Sequence, residues 1–334
     1  MRQILTEVGN LIYRNVPDPI PKKGEALIEV KSIGICYSDL APYKGKQGYS
    51  SLPLVQGHEF GGIIKEINGK SNQFKVRDKV SVYPALNCGY CYYCTNGMEH
   101  MCDNQAMFGF AKKEGCMSEF IAVPLKNLVK MSDSFNIKYA GLIEPATVAY
   151  HAVSRFNNDT VVIIGVGAIG VIMGQILKHN GCKFIAIDVD DDMLKIAKEL
   201  GADLVINVKD NDRVEKIKKF LKGGNIDGVV IGFLNQDNLD FALDIVRKEG
   251  IVIEMATPEK LFLDLDTNKL FYKAINLKGS ICYSFDEFVK AADLVQKDVI
   301  STKRIITKIF PFDQAKEAFE FKGKASALKV IISV

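Results

Sequence analysis

The chain has 334 residues, of which 48% are hydrophobic and 25% charged, a composition that favours a globular protein with a large core over a disordered one. Its formal net charge is only +3 and it has no long basic tract, which argues against nucleic acid as a partner. The N-terminal segment lacks the apolar run of a signal peptide, and no stretch is long enough to span a bilayer. Eight cysteines without an export signal favour a reducing compartment. We therefore expect a cytoplasmic protein of two domains without a membrane partner.

The first region, up to about residue 145, has the pattern of a β-rich domain. Short alternating or apolar runs are separated by clusters of Gly, Pro and Asn, which are typical of turns. The runs predict strands at residues 26–35, 60–67, 79–82 and 120–123.

From about residue 146 the pattern changes to short apolar strands that alternate with helical stretches. The predicted strands are 161–164, 184–187, 204–206, 228–231, 251–253 and 275–281, and the predicted helices are 169–179, 191–200, 213–221 and 238–247. This alternation predicts a doubly wound parallel sheet of the α/β class. The remainder is mixed, with predicted helices at 286–296 and 313–321 and a final strand at 329–333.

A glycine-rich turn links the first of these strands to the following helix. Gly165 permits the tight turn, Gly167 lets backbone amides approach a pyrophosphate, and Gly170 allows close helix–strand packing; the intervening Ala168 and Ile169 complete the turn. The next predicted strand ends at Asp188, whose carboxylate can accept the ribose hydroxyls of NAD and would repel the 2′-phosphate of NADP. The sequence therefore predicts a dinucleotide site that favours NAD.

Four cysteines lie close together in the first region. Thiolates suit the tetrahedral shell of Zn²⁺, and four of them close that shell, so the cluster predicts a structural zinc site. An Fe–S cluster is the alternative, but the chain offers no other redox-centre ligand set. The ligands are Cys88, Cys91, Cys94 and Cys102.

Further residues that could bind a metal are scattered along the chain. They are Cys36, His58, Glu59 and Glu144. Spacing alone gives little support for a second site, because a lone Cys or His is more often a packed core residue than a ligand.

At these positions the chain resembles the medium-chain zinc-dependent alcohol and polyol dehydrogenases, and in particular their sorbitol-dehydrogenase-like members. The matching segments are GICYSD at 34–39, GHEFGG at 57–62, the four cysteines, IEP at 143–145 and GVGAIG at 165–170. They occur in the order of the family and cover essentially the whole chain.

The resemblance implies a catalytic zinc with a position left open for substrate oxygen. Cys36 and His58 would bind it, and Glu59 and Glu144 would supply the remaining ligation, partly through water. Family members differ in which of the two acids they use, and the sequence leaves that choice open. With the structural ion, this implies two zinc ions per chain.

The resemblance also assigns roles around this zinc. Ser38 would relay the proton from the substrate alcohol, and this role is favoured over the alternative of a serine that caps a turn. Asp39 would orient the ligands, and Thr147 and Val148 fall where relatives line the nicotinamide pocket.

The implied architecture is a GroES-like β-rich catalytic domain, residues 1–146 and 284–334, and a Rossmann NAD-binding domain, residues 147–283. The implied reaction is hydride transfer between an alcohol and NAD. A nucleotide-binding homologue that has lost catalysis, or a zinc-free quinone reductase, would be expected to lack the set Cys36, His58 and Glu59.

The substrate is the least constrained prediction. Within the resemblance, the E-P pair and the Glu beside His58 favour a secondary alcohol or polyol, including polyol phosphates, and L-threonine or a simple alcohol is the alternative. The Arg-Tyr pair common in sorbitol-type members is replaced by Cys282-Tyr283, and the missing Arg argues against a sorbitol-like substrate. Tyr37 is bulkier than the Gly that commonly follows the ligand Cys, so we expect a reshaped pocket. Relatives assemble as homodimers or homotetramers, and the sequence does not decide between them.

Overall fold

The structure, a computed structural model, describes residues 1–46, 50–110, 113–255, 262–324 and 327–334. The chain divides into two compact units, Met1–Thr147 with Cys282–Val334, and Val148–Ile281. Among the helices in the described ranges, none combines the length and apolar character that crossing a bilayer would need.

The N-terminal part of the first unit consists mainly of strands. They are β1 Arg2–Glu7, β2 Asn10–Asn15, β3 Glu25–Gly34, β4 Glu59–Asn68, β5 Lys79–Val82, β6 Ala85–Leu86, β7 Ala106–Met107, β8 Phe120–Pro124 and β9 Leu128–Lys130. Two short helices interrupt them, α1 Tyr37–Tyr43 and α2 Tyr92–Thr95, and α3 Ile143–Val153 follows across the boundary between the units.

The second unit alternates strands with helices. The strands are β10 Thr160–Ile164, β11 Lys183–Asp188, β12 Leu204–Asn207, β13 Gly228–Ile231, β14 Ile251–Glu254 and β15 Asn276–Gly279. The helices are α4 Ala168–His179, α5 Asp191–Glu199, α6 Arg213–Leu221, α7 Gln236–Ile245 and α8 Thr267–Lys273.

The chain then returns to the first unit. Its last elements are α9 Phe285–Gln296, α10 Thr302–Ile305, β16 Ile306–Pro311, α11 Ala315–Lys322 and β17 Lys329–Ser333.

Strand pairing in the first unit brings distant parts of the chain together. Its main sheet has the order β16-β17-β3-β4-β5-β9, with β8 also paired to β3. The antiparallel register sets Gly34 of β3 opposite both Glu59 of β4 and Ile331 of β17. Alternate residues of β3, such as Ala26, Ile28 and Val30, enter the core.

The second unit holds a parallel sheet of order β12-β11-β10-β13-β14-β15. The chain starts in the middle at β10, fills one side, and then crosses to fill the other from β13. In such a sheet ligands bind at the carboxyl ends of the strands where this reversal occurs, here between β10 and β13. All five residues of β10 are buried, as expected of a strand covered on both faces.

The predicted α/β fold, a β-rich part and a doubly wound parallel sheet, is confirmed. Among the described elements, the sequence patterns did not predict β1, β2, β6, β7, β9, β16, α1, α2, α3, α8 and α10, and the predicted strand 275–281 is shorter, Asn276–Gly279. Helix α3 has Pro145 in its first turn, where a residue without an N–H is tolerated, so this proline does not prevent the helix.

Candidate active site

The candidate active site lies where β3 ends and β4 begins. Cys36 follows β3 and is the N-cap of α1, while His58 and Glu59 lie at the start of β4. Because Gly34 pairs with Glu59, the antiparallel register carries Cys36 to the same end of the sheet. One ligand atom from each of Cys36, His58 and Glu59 lies within 4.8 Å of the others.

Asp39 connects the two segments that carry these side chains. Its carboxylate accepts hydrogen bonds from the Cys36 amide at 3.0 Å and the Gly57 amide at 3.3 Å, and Oδ1 lies 3.6 Å from His58 Nδ1. Asp39 is only 1% exposed. It therefore holds the Cys36 turn and the His58 strand in a fixed relation.

The environment of His58 suits a cation. Burial lowers the pKa of this imidazole, but the Asp39 carboxylate and the Cys36 sulfur outweigh burial and hold the pKa well above its ordinary value. A metal ion can take the place of such a proton, since ligand histidines bind metal in their neutral form. The donor set of sulfur, imidazole and carboxylate, with Asp39 behind the imidazole, fits Zn²⁺.

Glu59 has a second partner, Lys329, that the sequence analysis missed. Lys329 Nζ lies 2.7 and 2.8 Å from the two carboxylate oxygens and 3.4 Å from the carbonyl oxygen of Ile35. The two side chains are 4% and 1% exposed. Burial lowers the pKa of Lys329, but the neighbouring Glu59 and Cys36 outweigh burial and raise this pKa above its ordinary value. In the sequence, the sign of this partner is a single lysine at the start of the apolar strand β17.

Glu144 lies in the first turn of α3 and is held by another side chain. The hydroxyl of Tyr283 donates a hydrogen bond to its carboxylate, and both residues are buried. Burial raises the pKa of Glu144 to about 7, although the charges of His58 and Lys329 oppose this. Among the described residues, Glu144 is not part of the group formed by Cys36, His58 and Glu59.

Two positions close to Glu59 require glycine, the first because of space and the second because of its backbone conformation. A Cβ on Gly34 would lie 2.1 Å from Glu59 Oε2 and 2.6 Å from the carbonyl oxygen of Gly141. Gly57, before His58, has a φ of +96°, a conformation that side-chain-bearing residues rarely adopt.

Ser38 lies in the first turn of α1, two residues after Cys36. Its Oγ is buried and has no hydrogen-bond partner among the described residues. A buried hydroxyl normally has one, so this atom is available to a ligand. The neighbouring Tyr37 is 63% exposed.

The four cysteines of the predicted structural site converge. Their sulfur atoms all lie within 4.8 Å of one another, with 3.9 Å between Cys88 and Cys94. The Cys88 amide donates to the sulfur of Cys102 at 3.4 Å. The backbone amide of Tyr90 is the largest influence that lowers the pKa of Cys88, to about 6, which favours the thiolate that binds zinc. We call residues 87–105 the four-cysteine loop.

The glycine-rich turn occupies the predicted place between β10 and α4. Gly165 has a φ of +96°, and a Cβ on Gly170 would lie 2.4 Å from the carbonyl oxygen of Gly165. A Cβ on Gly167, the N-cap of α4, would meet nothing within 4 Å, so the space beside the first turn is open. Ala168 and Ile169 begin the helix and are half-buried. The uncapped amides there suit an anion.

Asp188 ends β11 and contacts the glycine-rich turn directly. Its Oδ2 accepts a hydrogen bond from the Val166 amide at 2.7 Å, and Oδ1 accepts from the amides of Val189 and Asp190 at 2.7 and 3.0 Å. Of the other residues predicted to contact the cofactor, Thr147 and Val148 lie on α3. The Thr147 hydroxyl donates within that helix to the Ile143 carbonyl oxygen at 2.8 Å.

Comparison with known proteins supports these observations. Residues 22–133 match the family model of the alcohol dehydrogenase GroES-like domain, and residues 168–297 match that of the zinc-binding dehydrogenases. An uncharacterized zinc-type alcohol dehydrogenase-like protein of Haemophilus influenzae is 31% identical over 93% of this chain and 91% of its own length. A D-arabitol-phosphate dehydrogenase of Enterococcus avium is 28% identical over 95% and 92%.

A solved structure agrees with the fold across both units. It is that of the short chain alcohol dehydrogenase rspB of E. coli CFT073 with NADH, with a TM-score of 0.90, 29% identity, and coverage of 100% of this chain and 99% of that one. The resemblance inferred from the sequence motifs is thus confirmed. The protein belongs to the family of zinc-binding alcohol dehydrogenases.

Proposed function

We propose that the protein transfers hydride between a secondary alcohol or polyol, either free or phosphorylated, and NAD. The observation that carries this proposal is the convergence of Cys36, His58 and Glu59 within 4.8 Å, in a chain that also has an open glycine-rich turn. Residues 1–146 and 284–334 would form the catalytic domain, and residues 147–283 the NAD-binding domain.

In this proposal Cys36, His58 and Glu59 bind the catalytic zinc, and Glu144 acts beside it through water. When bound, zinc supplies the Lewis acidity that lowers the pKa of an alcohol. The proximity of the Glu59 carboxylate to Cys36 and His58 supports its role as the third ligand. With zinc bound, Lys329 would still pair with the Glu59 carboxylate and would limit how much negative charge it offers the ion.

Ser38 would take the proton that the alcohol loses. Its buried Oγ without a protein partner supports this role, because such a hydroxyl can accept one hydrogen bond and donate another onwards. Hydride would pass from the substrate carbon to the nicotinamide, which carries the redox chemistry.

The four-cysteine loop would hold a second, structural zinc, which gives two ions per chain. The convergence of its four sulfurs supports this, and four protein ligands leave no position for substrate. Metal analysis should find two zinc ions per chain. A single ion per chain would mean that only the structural site binds zinc.

NAD would be preferred over NADP because of Asp188. Its carboxylate lies at the end of β11 beside the glycine-rich turn, where it can accept ribose hydroxyls and repel a 2′-phosphate. Following NADH and NADPH formation in parallel tests this preference.

For the substrate, a polyol or polyol phosphate has the most support, from the similarity to the D-arabitol-phosphate dehydrogenase. L-Threonine and simple secondary alcohols are the alternative. A screen of polyols, phosphorylated polyols, L-threonine and secondary alcohols, followed by NADH absorbance, separates them. A non-catalytic homologue would turn over none of these compounds.

We propose that the protein works in the cytoplasm as a homodimer or homotetramer. The strand β15 lies at the edge of its sheet, and all four of its residues are exposed, including Leu277. An exposed edge of this kind can pair with the same edge of a second copy. Light scattering should give a dimer or tetramer, which Leu277→Asp should weaken.

The metal assignment is tested by His58→Ala and Cys36→Ser. Both should abolish turnover while NADH binding, measured by fluorescence, survives. His179→Ala is the matched control, because this histidine is exposed at the end of α4. Retained turnover in either site variant would overturn the proposal.

A further inference from the structure

We propose that the four-cysteine loop positions Glu144 in the active site, through the segment of residues 282–288 that we call the return segment. This inference rests on the proposed function, since it gives the structural zinc a second task in the same reaction. Both parts lie in the first unit, and the return segment begins where the chain re-enters it.

The first connection is a hydrogen bond from the return segment to the loop. The amide of Phe285 donates to Glu99 Oε1 at 3.1 Å. Phe285 is the first residue of α9, so its amide has no acceptor within the helix. The helix already has a complete capping box formed by Ser284 and Glu287. Glu99 therefore ties the segment to the loop in addition to the local cap.

The second connection is a chain of polar contacts that starts at a zinc ligand. The Gln105 amide donates to the Cys102 carbonyl oxygen at 3.2 Å, and Gln105 Nε2 donates to Asn87 Oδ1 at 3.0 Å. Asn87 Nδ2 then donates to the hydroxyl of Tyr83 at 3.3 Å. These contacts fix the orientation of the Tyr83 side chain relative to the four-cysteine loop.

Tyr83 passes this constraint to the return segment. Its hydroxyl donates to the carbonyl oxygen of Tyr283 at 3.0 Å, and its ring packs edge-on against the rings of Tyr283, Phe285 and Phe288 at 5.5 to 5.8 Å. Tyr83 and Tyr283 are each only 3% exposed. These contacts fix the position of the Tyr283 backbone relative to the four-cysteine loop.

Tyr283 completes the path, because its hydroxyl donates to the Glu144 carboxylate. The preceding residue, Cys282, has a φ of +52°, a conformation that a non-glycine residue keeps only when its surroundings enforce it. Its thiol lies 4.0 Å from Gln105 Oε1, so the same loop residue also contacts this strained position. Glu99, Gln105 and Tyr83 are therefore positioning residues for Glu144.

The test compares Glu99→Ala with Glu99→Gln in the zinc-loaded protein. Glu99→Ala removes the acceptor for the Phe285 amide, whereas the amide oxygen of glutamine can still accept. The control is Asn96→Ala, which removes a hydrogen bond that stays inside the loop, from Asn96 Nδ2 to the Tyr92 carbonyl oxygen at 2.8 Å. Zinc content is measured in every variant, so that loss of metal is recognised.

We expect amide hydrogen exchange in residues 283–287 to be about tenfold faster in Glu99→Ala, which is the scale for loss of one hydrogen bond to a charged group. The kcat should fall about tenfold because Glu144 is displaced, while the KM for NAD stays unchanged. Glu99→Gln should recover most of both losses, since its neutral amide oxygen accepts a weaker hydrogen bond than the carboxylate, and Asn96→Ala should behave like the wild type. A fall in kcat with unchanged KM, reversed by glutamine, would not come from general destabilisation.

The inference is overturned if exchange in Glu99→Ala is unchanged, or if it accelerates while kcat stays the same. If Glu99→Ala loses zinc, Tyr83→Phe is compared with the wild type instead. Tyr83 lies outside the four-cysteine loop, and this substitution removes the hydrogen bond to the Tyr283 carbonyl oxygen. A wild-type protein that oxidises no alcohol would instead refute the proposed function. The exchange data would then still decide whether the loop orders the return segment.

Discussion

Replacing Lys329 with methionine should destabilise the metal-free protein strongly. The substitution keeps the length of the side chain but removes the cation whose Nζ lies 2.7 and 2.8 Å from the oxygens of Glu59. Both side chains are almost fully buried, so the carboxylate would lose the cation that donates hydrogen bonds to both of its oxygens. Removing one partner of a buried ion pair costs about 3–5 kcal/mol of unfolding free energy.

The magnitude should depend on zinc. A divalent ion at Cys36 and His58 would supply a new counter-charge for Glu59, so the loss in Lys329→Met should be smaller in zinc-loaded than in metal-free protein. In the double variant Glu59→Gln/Lys329→Met the charge is gone as well, and most of the stability should return.

Urea unfolding followed by circular dichroism, with chelator and with zinc, measures these differences. Lys297→Met is the matched control, because this lysine forms an exposed pair with Asp293 and its loss should cost less than about 1 kcal/mol. Equal losses in Lys329→Met and Lys297→Met would refute the reasoning about the buried pair. Equal losses of Lys329→Met with and without zinc would refute the role of Glu59 as a ligand.

Three further predictions concern space, pH and cofactor. Gly34→Ala would place a Cβ 2.1 Å from Glu59 Oε2. The variant should lose about 1–3 kcal/mol of unfolding free energy and should also lose zinc from the catalytic site; normal stability and metal content would contradict this. Burial lowers the pKa of Lys322 to about 8. Because the unfolded chain binds this proton more tightly, stability should rise with pH from about 8 to about 10.5, and the rise should be smaller in Lys322→Gln. Asp188→Asn should raise the ratio of kcat/KM for NADP over NAD about tenfold, which corresponds to about 1.4 kcal/mol of removed repulsion; an unchanged ratio would argue against Asp188 as the discriminating group.

Patterns within one segment were sufficient for much of the fold. The glycine-rich turn and Asp188 were predictable because strand, turn and helix follow one another directly along the chain. The four cysteines were predictable for the same reason, since all of them lie in one loop.

Contacts between distant segments were not predictable in this way. Lys329 reaches Glu59 only because β17 pairs beside β3, and a lysine in an apolar strand does not identify its partner. Tyr283 was noted for the missing arginine before it, but its bond to Glu144 depends on where the chain re-enters the first unit. Helix α1 was missed because a run of seven residues with an internal proline has little helical pattern.

The central claim is that a catalytic zinc binds at Cys36 and His58, apart from the ion of the four-cysteine loop. Anomalous diffraction at the zinc absorption edge, on crystals of the protein with NAD, tests it most directly. The account predicts two peaks per chain, one of them between the sulfur of Cys36 and the imidazole of His58. A single peak, among the four sulfurs, would contradict it.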